Sequence, residues 1–251
     1  MLDNITLERL RSFRINGFID EFLQQSKSSK YLSLSFEERL TLLVDAEHTK
    51  RVNQKIIRLI QGAKLPQRVA LDDVDFNSSR TINKKQILEI CQGSWLTNSN
   101  VIITGQTGVG KTFLASVICQ ELCLRSFSVK FRTTNQWLLE LVLADEKRKL
   151  PQAITSLKKT NLLVFDDWLR DPVSSNDSRR LIDLFDARYK KSACLFTSQL
   201  PVHDWHKQFN DPTLADALLD RIVHNSIRID LQGESMRKAM SPSKNLAEAT
   251  S

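Results

Sequence analysis

Eight consecutive residues constrain this chain more than any other stretch. Gly105-Gln106-Thr107-Gly108-Val109-Gly110-Lys111-Thr112 matches the pattern GxxxxGK(S/T) at every specified position. Apolar Val101–Thr104 precedes it as a strand, and Thr112–Leu124 follows as an apolar helix. A strand, a glycine-rich turn and a helix N-terminus in that order belong to a parallel α/β fold. The chemistry follows from the backbone. Glycines let the turn close tightly with its amides pointing inward, and the helix dipole adds a favourable potential for phosphates. The pattern sends Lys111 to the β- and γ-phosphates and the Thr112 hydroxyl to Mg2+. Residues 105–112 therefore predict a nucleoside triphosphate site.

The chain beyond about residue 86 supports the same fold class. Short apolar strands are predicted at Asn100–Thr104, Val129–Arg132, Leu162–Phe165, Ala193–Thr197 and Ile227–Leu231. Helices are predicted at Thr112–Leu124, Gln136–Lys147, Ser178–Lys190 and Leu214–Val223. The third strand ends in Asp166-Asp167, where an α/β sheet opens its ligand crevice. Asp166 is expected to hold Mg2+, directly or through water, and Asp167 to orient or deprotonate an attacking water. The fourth strand ends in the polar run Thr197-Ser198-Gln199 before Leu200-Pro201.

The first seventy residues read as helices without a strand. A break is expected at Gly17, a capping box at Ser35 with Glu38, and a helix stop at Gly62. Arg51, Lys55 and Arg58 line one side of the helix that Ser35 opens, a side that reads equally as solvated or as phosphate-facing. The predicted organisation is a helical domain over 1–70, for a partner, DNA or self-assembly, an α/β domain over 71–240, and a loose tail over 241–251. The longest apolar runs fall far short of the roughly 18 residues of a membrane span. The N-terminus shows no leader pattern, so a soluble, cytoplasmic chain without a membrane partner is expected.

Charge adds a second theme. The net charge is +7, and eight basic residues between Arg125 and Lys159 face only Glu140, Asp145 and Glu146. Such a concentration suits a polyanionic partner, although a charge run is more often a solvated face. Metal chemistry of the zinc type is not expected, because His203 and His206 have no cysteine cluster near them.

With these motifs in hand, the chain resembles the AAA+ ATPases, whose middle strand lies between the two motif strands. That resemblance implies ATP as the nucleotide. It assigns contact with the γ-phosphate and attacking water to Gln199, with Ser198 and Thr197 as near alternatives. It also assigns Arg221, in Leu218-Leu219-Asp220-Arg221-Ile222-Val223, as an arginine finger supplied in trans to a neighbouring subunit. Arg237, in Gly233-Glu234-Ser235-Met236-Arg237-Lys238, matches a second nucleotide-sensing arginine. Over roughly residues 5–238 the whole chain is similar to the IstB family of transposition helper ATPases, relatives of DnaC-type helicase loaders and DnaA-type initiators. The carrying segments are Leu34-Ser35-Phe36-Glu37-Glu38-Arg39-Leu40, Ala63-Lys64-Leu65, the phosphate loop, Val164-Phe165-Asp166-Asp167-Trp168, the Thr197 to Pro201 run, Leu218 to Asn225, and Gly233 to Arg237. One departure is Leu169, where many relatives have glycine.

The family resemblance implies an ATP-hydrolysing homo-oligomer that assembles on duplex DNA and assists a cognate transposase. In the initiator clade an insertion after the second strand lines the DNA path. Here it spans about 135–159, which makes Lys147, Arg148, Lys149, Lys158 and Lys159 the candidate phosphate contacts, with little sequence dependence. Two other readings share the loop: a helicase loader, and, from a different class, a small-molecule kinase. A GTPase is disfavoured because no NKxD motif occurs.

Overall fold

The computed structural model describes residues 4–76 and 82–233. The chain divides into two units, Met1–Arg58 and Leu59–Ser251. In the first lie α1 (Asn4–Ser12), α2 (Asn16–Lys27) and most of α3 (Phe36–Ala63). The capping box at the start of α3 is formed: the Ser35 amide donates to Glu38 Oε2 at 2.7 Å and the Glu38 amide to Ser35 Oγ at 3.2 Å.

Two glycine readings change. Gly17 does not break the chain but sits inside the first turn of α2, where a Cβ would lie 2.7 Å from the Ala46 carbonyl oxygen. Its smallness lets α2 approach α3, whose Glu47 accepts the Gly17 amide at 2.7 Å. Gly62 does not end α3 either. The helix runs to Ala63, and Lys64 takes the left-handed turn with φ 55°.

The second unit carries α4 (Lys84–Gln92), β1 (Asn100–Gly105), α5 (Lys111–Leu124), β2 (Val129–Thr133), α6 (Thr134–Glu146) and α7 (Leu150–Lys158). It continues with β3 (Leu162–Asp166), α8 (Ser175–Arg188), β4 (Ala193–Ser198), α9 (Pro212–Val223) and β5 (Ser226–Leu231). All five strands are parallel, in the order β2-β3-β4-β1-β5. β4 therefore lies between the strand that feeds the phosphate loop and the strand that ends in the two aspartates.

Strand alternation builds two cores. Val101, Ile103, Leu162, Val164 and Leu195 face one side with Leu114, Ile118 and Leu122 of α5. Ile102, Leu163, Phe165, Cys194 and Phe196 face the other with Trp137, Leu184 and Leu218. The second is the aromatic side: Phe165 stacks on Phe196 with centroids 5.2 Å apart, and Trp168 meets Phe196 edge-on at 4.9 Å. No helix among the described residues is long and apolar enough to cross a membrane.

The basic insertion is two helices rather than one. α6 ends with Arg148 left-handed at φ 54°, while the Arg148 amide donates to Asp145 O at 2.8 Å and the Lys149 amide to Ala144 O at 2.7 Å. This is a Schellman cap built on arginine instead of glycine, and Pro151 then opens α7.

One polar side chain ties the lower edge of the sheet together. Asn100, the first residue of β1, donates to the carbonyls of Arg221 and Ile222 at 3.2 and 3.1 Å, and accepts the Cys194 amide at 2.9 Å. Asn100→Ala would leave these groups without that partner, at a cost of about 1–3 kcal/mol. Thermal unfolding should register this as a Tm lowered by several degrees.

Candidate active site

The phosphate loop begins where β1 runs out. Gly105, Gly108 and Gly110 adopt φ of 147°, 87° and 102°, conformations that side chains disfavour. At Gly105 there is no room either, since a Cβ would run into the Leu231 carbonyl oxygen. Gly110 stands at the N-cap of α5 without a side chain to occupy the first-turn amides. Lys111 is buried, and its ammonium donates to the Gly105 and Gln106 carbonyls at 2.8 and 2.9 Å, within the loop that would cradle the phosphates.

Asp166 is the centre of the site. The Thr112 hydroxyl donates to its two carboxylate oxygens at 3.0 and 3.2 Å, and the Thr197 hydroxyl donates to Oδ1 at 2.5 Å. Thr197 Oγ1 also accepts the Asp167 amide at 3.1 Å, and Thr134 donates to the Asp166 carbonyl at 3.2 Å. Burial pushes the Asp166 carboxyl above its ordinary range, the donors from Thr197 and Thr112 oppose that, and the Asp167 charge adds to it. A hydroxyl and a carboxylate side by side are the hard oxygen donors that Mg2+ takes from protein while keeping water and phosphate ligands. Thr112 and Asp166 thus fit the cation the loop chemistry implies.

Asp167 turns away from the strand in a left-handed conformation, φ 53°, with its carboxylate 3.7 Å from the Arg170 guanidinium. Leu169 follows at φ 57° and is buried. That backbone explains why glycine suits the position, and burial of the leucine side chain offsets the strain. Gln199, just past β4, accepts the Thr107 hydroxyl at 2.8 Å and so touches the phosphate loop directly. The loop, the two aspartates and the Thr197–Gln199 run therefore meet at one end of the sheet.

Within the second unit, Arg221 lies apart from this cluster. Arg221 sits on α9 beside Asn100, at the opposite end of β1 from the phosphate loop. Six strand residues place that end about 16 Å away. Its guanidinium pairs with Asp186 of α8. Arg237 lies outside the described residues. Lys147, Arg148 and Lys149 are exposed at the α6–α7 junction, and Lys158 and Lys159 are exposed at the far end of α7, roughly 13 Å along its axis. Arg51, Lys55 and Arg58 are exposed on α3 in the first unit, Arg51 paired with Glu47.

His203 and His206 pair with Asp204 and Asp216. The four cysteines are buried thiols, and burial raises Cys91 to about 12 and Cys123 to about 11, so neither is offered as a thiolate. Thr134 and Arg170 were not legible as parts of the site: a threonine in the first turn of a helix and a surface arginine carry no pattern of their own.

Comparison with known proteins agrees with this geometry. The sequence model of the family described as IstB-like ATP binding protein matches residues 8–244. An insertion sequence ATP-binding protein of Sinorhizobium fredii is 33% identical over 239 residues, covering 95% of this chain and 98% of the relative. Among solved structures, DnaI matches with a TM-score of 0.54 at 19% identity, over 66% of this chain and 92% of that one. AMPPCP-bound DnaA from Aquifex aeolicus matches with a TM-score of 0.50 at 16% identity, over 61% of this chain and 47% of that one. These likenesses show the AAA+ fold.

The raised Asp166 carboxyl makes a stability prediction. Its charged form is penalised in the folded state, so stability is lost as pH rises through the raised folded value. Asp166→Asn should therefore unfold at a higher temperature than the parent at pH 8 in a chelator. The gain should disappear below the ordinary carboxylate pKa of about 3.9, where both states are protonated.

Proposed function

Because the chain belongs to the family of IstB-like ATP binding proteins, we propose that it is the ATP-hydrolysing helper of a transposase, assembling as a homo-oligomer on duplex DNA and governing target insertion through its nucleotide cycle. The observation that carries this reading is the convergence on Asp166 of hydroxyls from α5 and β4, with Gln199 bonded to the loop beside them. A simple nucleotide-binding site needs only the loop. A hydrolytic one also needs an acid for water and a polar group for the γ-phosphate, and Asp167 and Gln199 supply these.

In this mechanism the glycine loop and Lys111 neutralise the β- and γ-phosphates, and Thr112 and Asp166 are the residues that would hold Mg2+. The cation, when bound, withdraws charge from the phosphate oxygens. Asp167 orients the attacking water and takes its proton, and Gln199 contacts both water and γ-phosphate. Arg221 is too far along β1 to reach its own loop, which supports its action on the site of a neighbouring copy. Arg237 is assigned to the nucleotide of its own chain.

Asp167→Asn is expected to bind ATP with the parent affinity and to turn over at background rate. Arg221→Ala should also be slow, by a factor within the 10³–10⁵ range of arginine fingers in GTPases. Mixing the two variants should restore turnover, since one supplies an intact site and the other an intact finger. Failure of the mixture to exceed either variant alone would remove the trans role. ATPase rates with and without duplex DNA, read beside the size of the ATP-bound particle, separate this function from a kinase. DNA stimulation with assembly supports the reading, and a monomer indifferent to DNA overturns it.

The DNA contacts are assigned to Lys147, Arg148, Lys149, Lys158 and Lys159, with Arg51, Lys55 and Arg58 as a further set on α3. Five phosphate contacts predict a slope of log K against log[salt] of about −4.5, or roughly 500-fold weaker binding at 200 mM than at 50 mM salt. A triple Lys147→Ala, Arg148→Ala, Lys149→Ala variant should lose most of that dependence. Unchanged binding by the triple variant would take the insertion out of the interface.

A further inference from the structure

We infer that Asp186 is the positioning residue for Arg221, the carboxylate that sets the direction in which the guanidinium is offered to a neighbouring subunit. The inference rests on the reading of Arg221 as a finger acting in trans, and adds to it a residue that no sequence pattern marks.

Two bonds hold the arginine. Arg221 Nε donates to Asp186 Oδ1, and Nη1 donates to the Ala217 carbonyl one turn back on α9, at 2.5 Å. A guanidinium is planar, so fixing Nε and Nη1 fixes the whole fork. Among the described residues Nη2 makes no hydrogen bond, and it remains for an outside acceptor. A free arginine would have to surrender its rotamer freedom on meeting a phosphate. One already held by two acceptors has surrendered most of it in advance.

Asp186 can serve this purpose because its own base is rigid. Two residues further on, Arg188 is only 1% exposed and donates to the carbonyls of Leu157, Thr160, Asn161 and Ala193, at 2.6, 2.9, 3.4 and 2.6 Å. It thereby clamps the last turn of α8 to the end of α7 and to the starts of β3 and β4. On the other side, Asn100 holds the backbone of Arg221 and Ile222. Carboxylate and guanidinium are thus presented from two anchored helices rather than from two mobile surface chains. The pair itself is partly open to solvent, with side-chain exposures of 28% for Arg221 and 49% for Asp186. An exposed pair contributes little to stability, so its removal tests positioning without unfolding the protein.

The experiment measures steady-state ATP hydrolysis by the full chain with Mg2+ and duplex DNA. Asp186→Ala should lower kcat about 10- to 100-fold, a part of the finger's effect, with KM for ATP, particle size and Tm unchanged. Asp186→Glu, which keeps the carboxylate, should recover part of the loss. Mixing Asp186→Ala with Asp167→Asn copies should restore turnover, because the defect lies in the donated finger and not in the site of its own chain. Asp186→Ala should add nothing to Arg221→Ala, since there is then nothing to position. Parent-like kcat in Asp186→Ala alongside a slow Arg221→Ala would overturn the inference and leave the finger standing. Parent-like kcat in Arg221→Ala would overturn the finger and the inference with it. A loss that persists in the mixture, adds to Arg221→Ala, or comes with failed assembly would make Asp186 structural and also refute the proposal.

Discussion

A single buried carboxylate organises the working end of this molecule. Asp166 accepts hydroxyl hydrogen bonds from Thr112 on α5 and Thr197 on β4, while its own strand is buried along its whole length. Burying an acid is unfavourable, as its raised proton affinity indicates, and two hydroxyl donors only partly compensate. The fold accepts that cost at the point where a cation would supply the missing positive charge. Binding strength and apo stability are therefore set against each other at one residue.

The strand order makes this carboxylate possible. Because β4 lies between β1 and β3, the ends of three strands fall side by side, with Ile103 opposite Thr197 and Phe165 opposite Phe196. The aromatic cluster of Phe165, Trp168, Phe196 and Trp205 packs behind them and holds their spacing. The same sheet separates functions by its length. The phosphate loop stands at one end of β1, and Arg221, the proposed finger, at the other, where Asn100 ties α9 to the sheet. That separation is the physical reason the proposed function couples assembly to hydrolysis, since Arg221 cannot reach the loop of its own chain.

The elements that the sequence made legible share a property: local pattern was enough to specify them. The five strands and the helices after β1, β2, β3 and β4 emerged within a few residues of their bounds, because apolar alternation and helical periodicity are written directly in neighbouring side chains. Helix ends were harder. The chain has only seven glycines, and three serve the phosphate loop. Gly93 caps α4, but other left-handed turns after helices fall to Arg14, Lys64, Ser126, Arg148 and Lys190, residues that announce no turn. That is why Gly62 was taken for a stop, while α7, which follows the Arg148 cap, was not expected as a helix of its own. Gly17 misled for the opposite reason: it is required by the approach of a second helix, which no local window contains.

By itself the sequence determined the nucleotide-binding class, the acids at the end of β3, and the family, since each rests on residue types at fixed spacing along one segment. Only the tertiary structure decided which side chains meet. It brought Gln199 onto Thr107 across 92 residues and Thr197 onto Asp166 across 31. It also set Arg221 against Asp186 across 35 residues and far from its own loop. Such pairings depend on strand order and helix packing, which are properties of the whole sheet. A motif can name the groups that a site requires, but the distances between them are fixed when distant segments are packed around a common core.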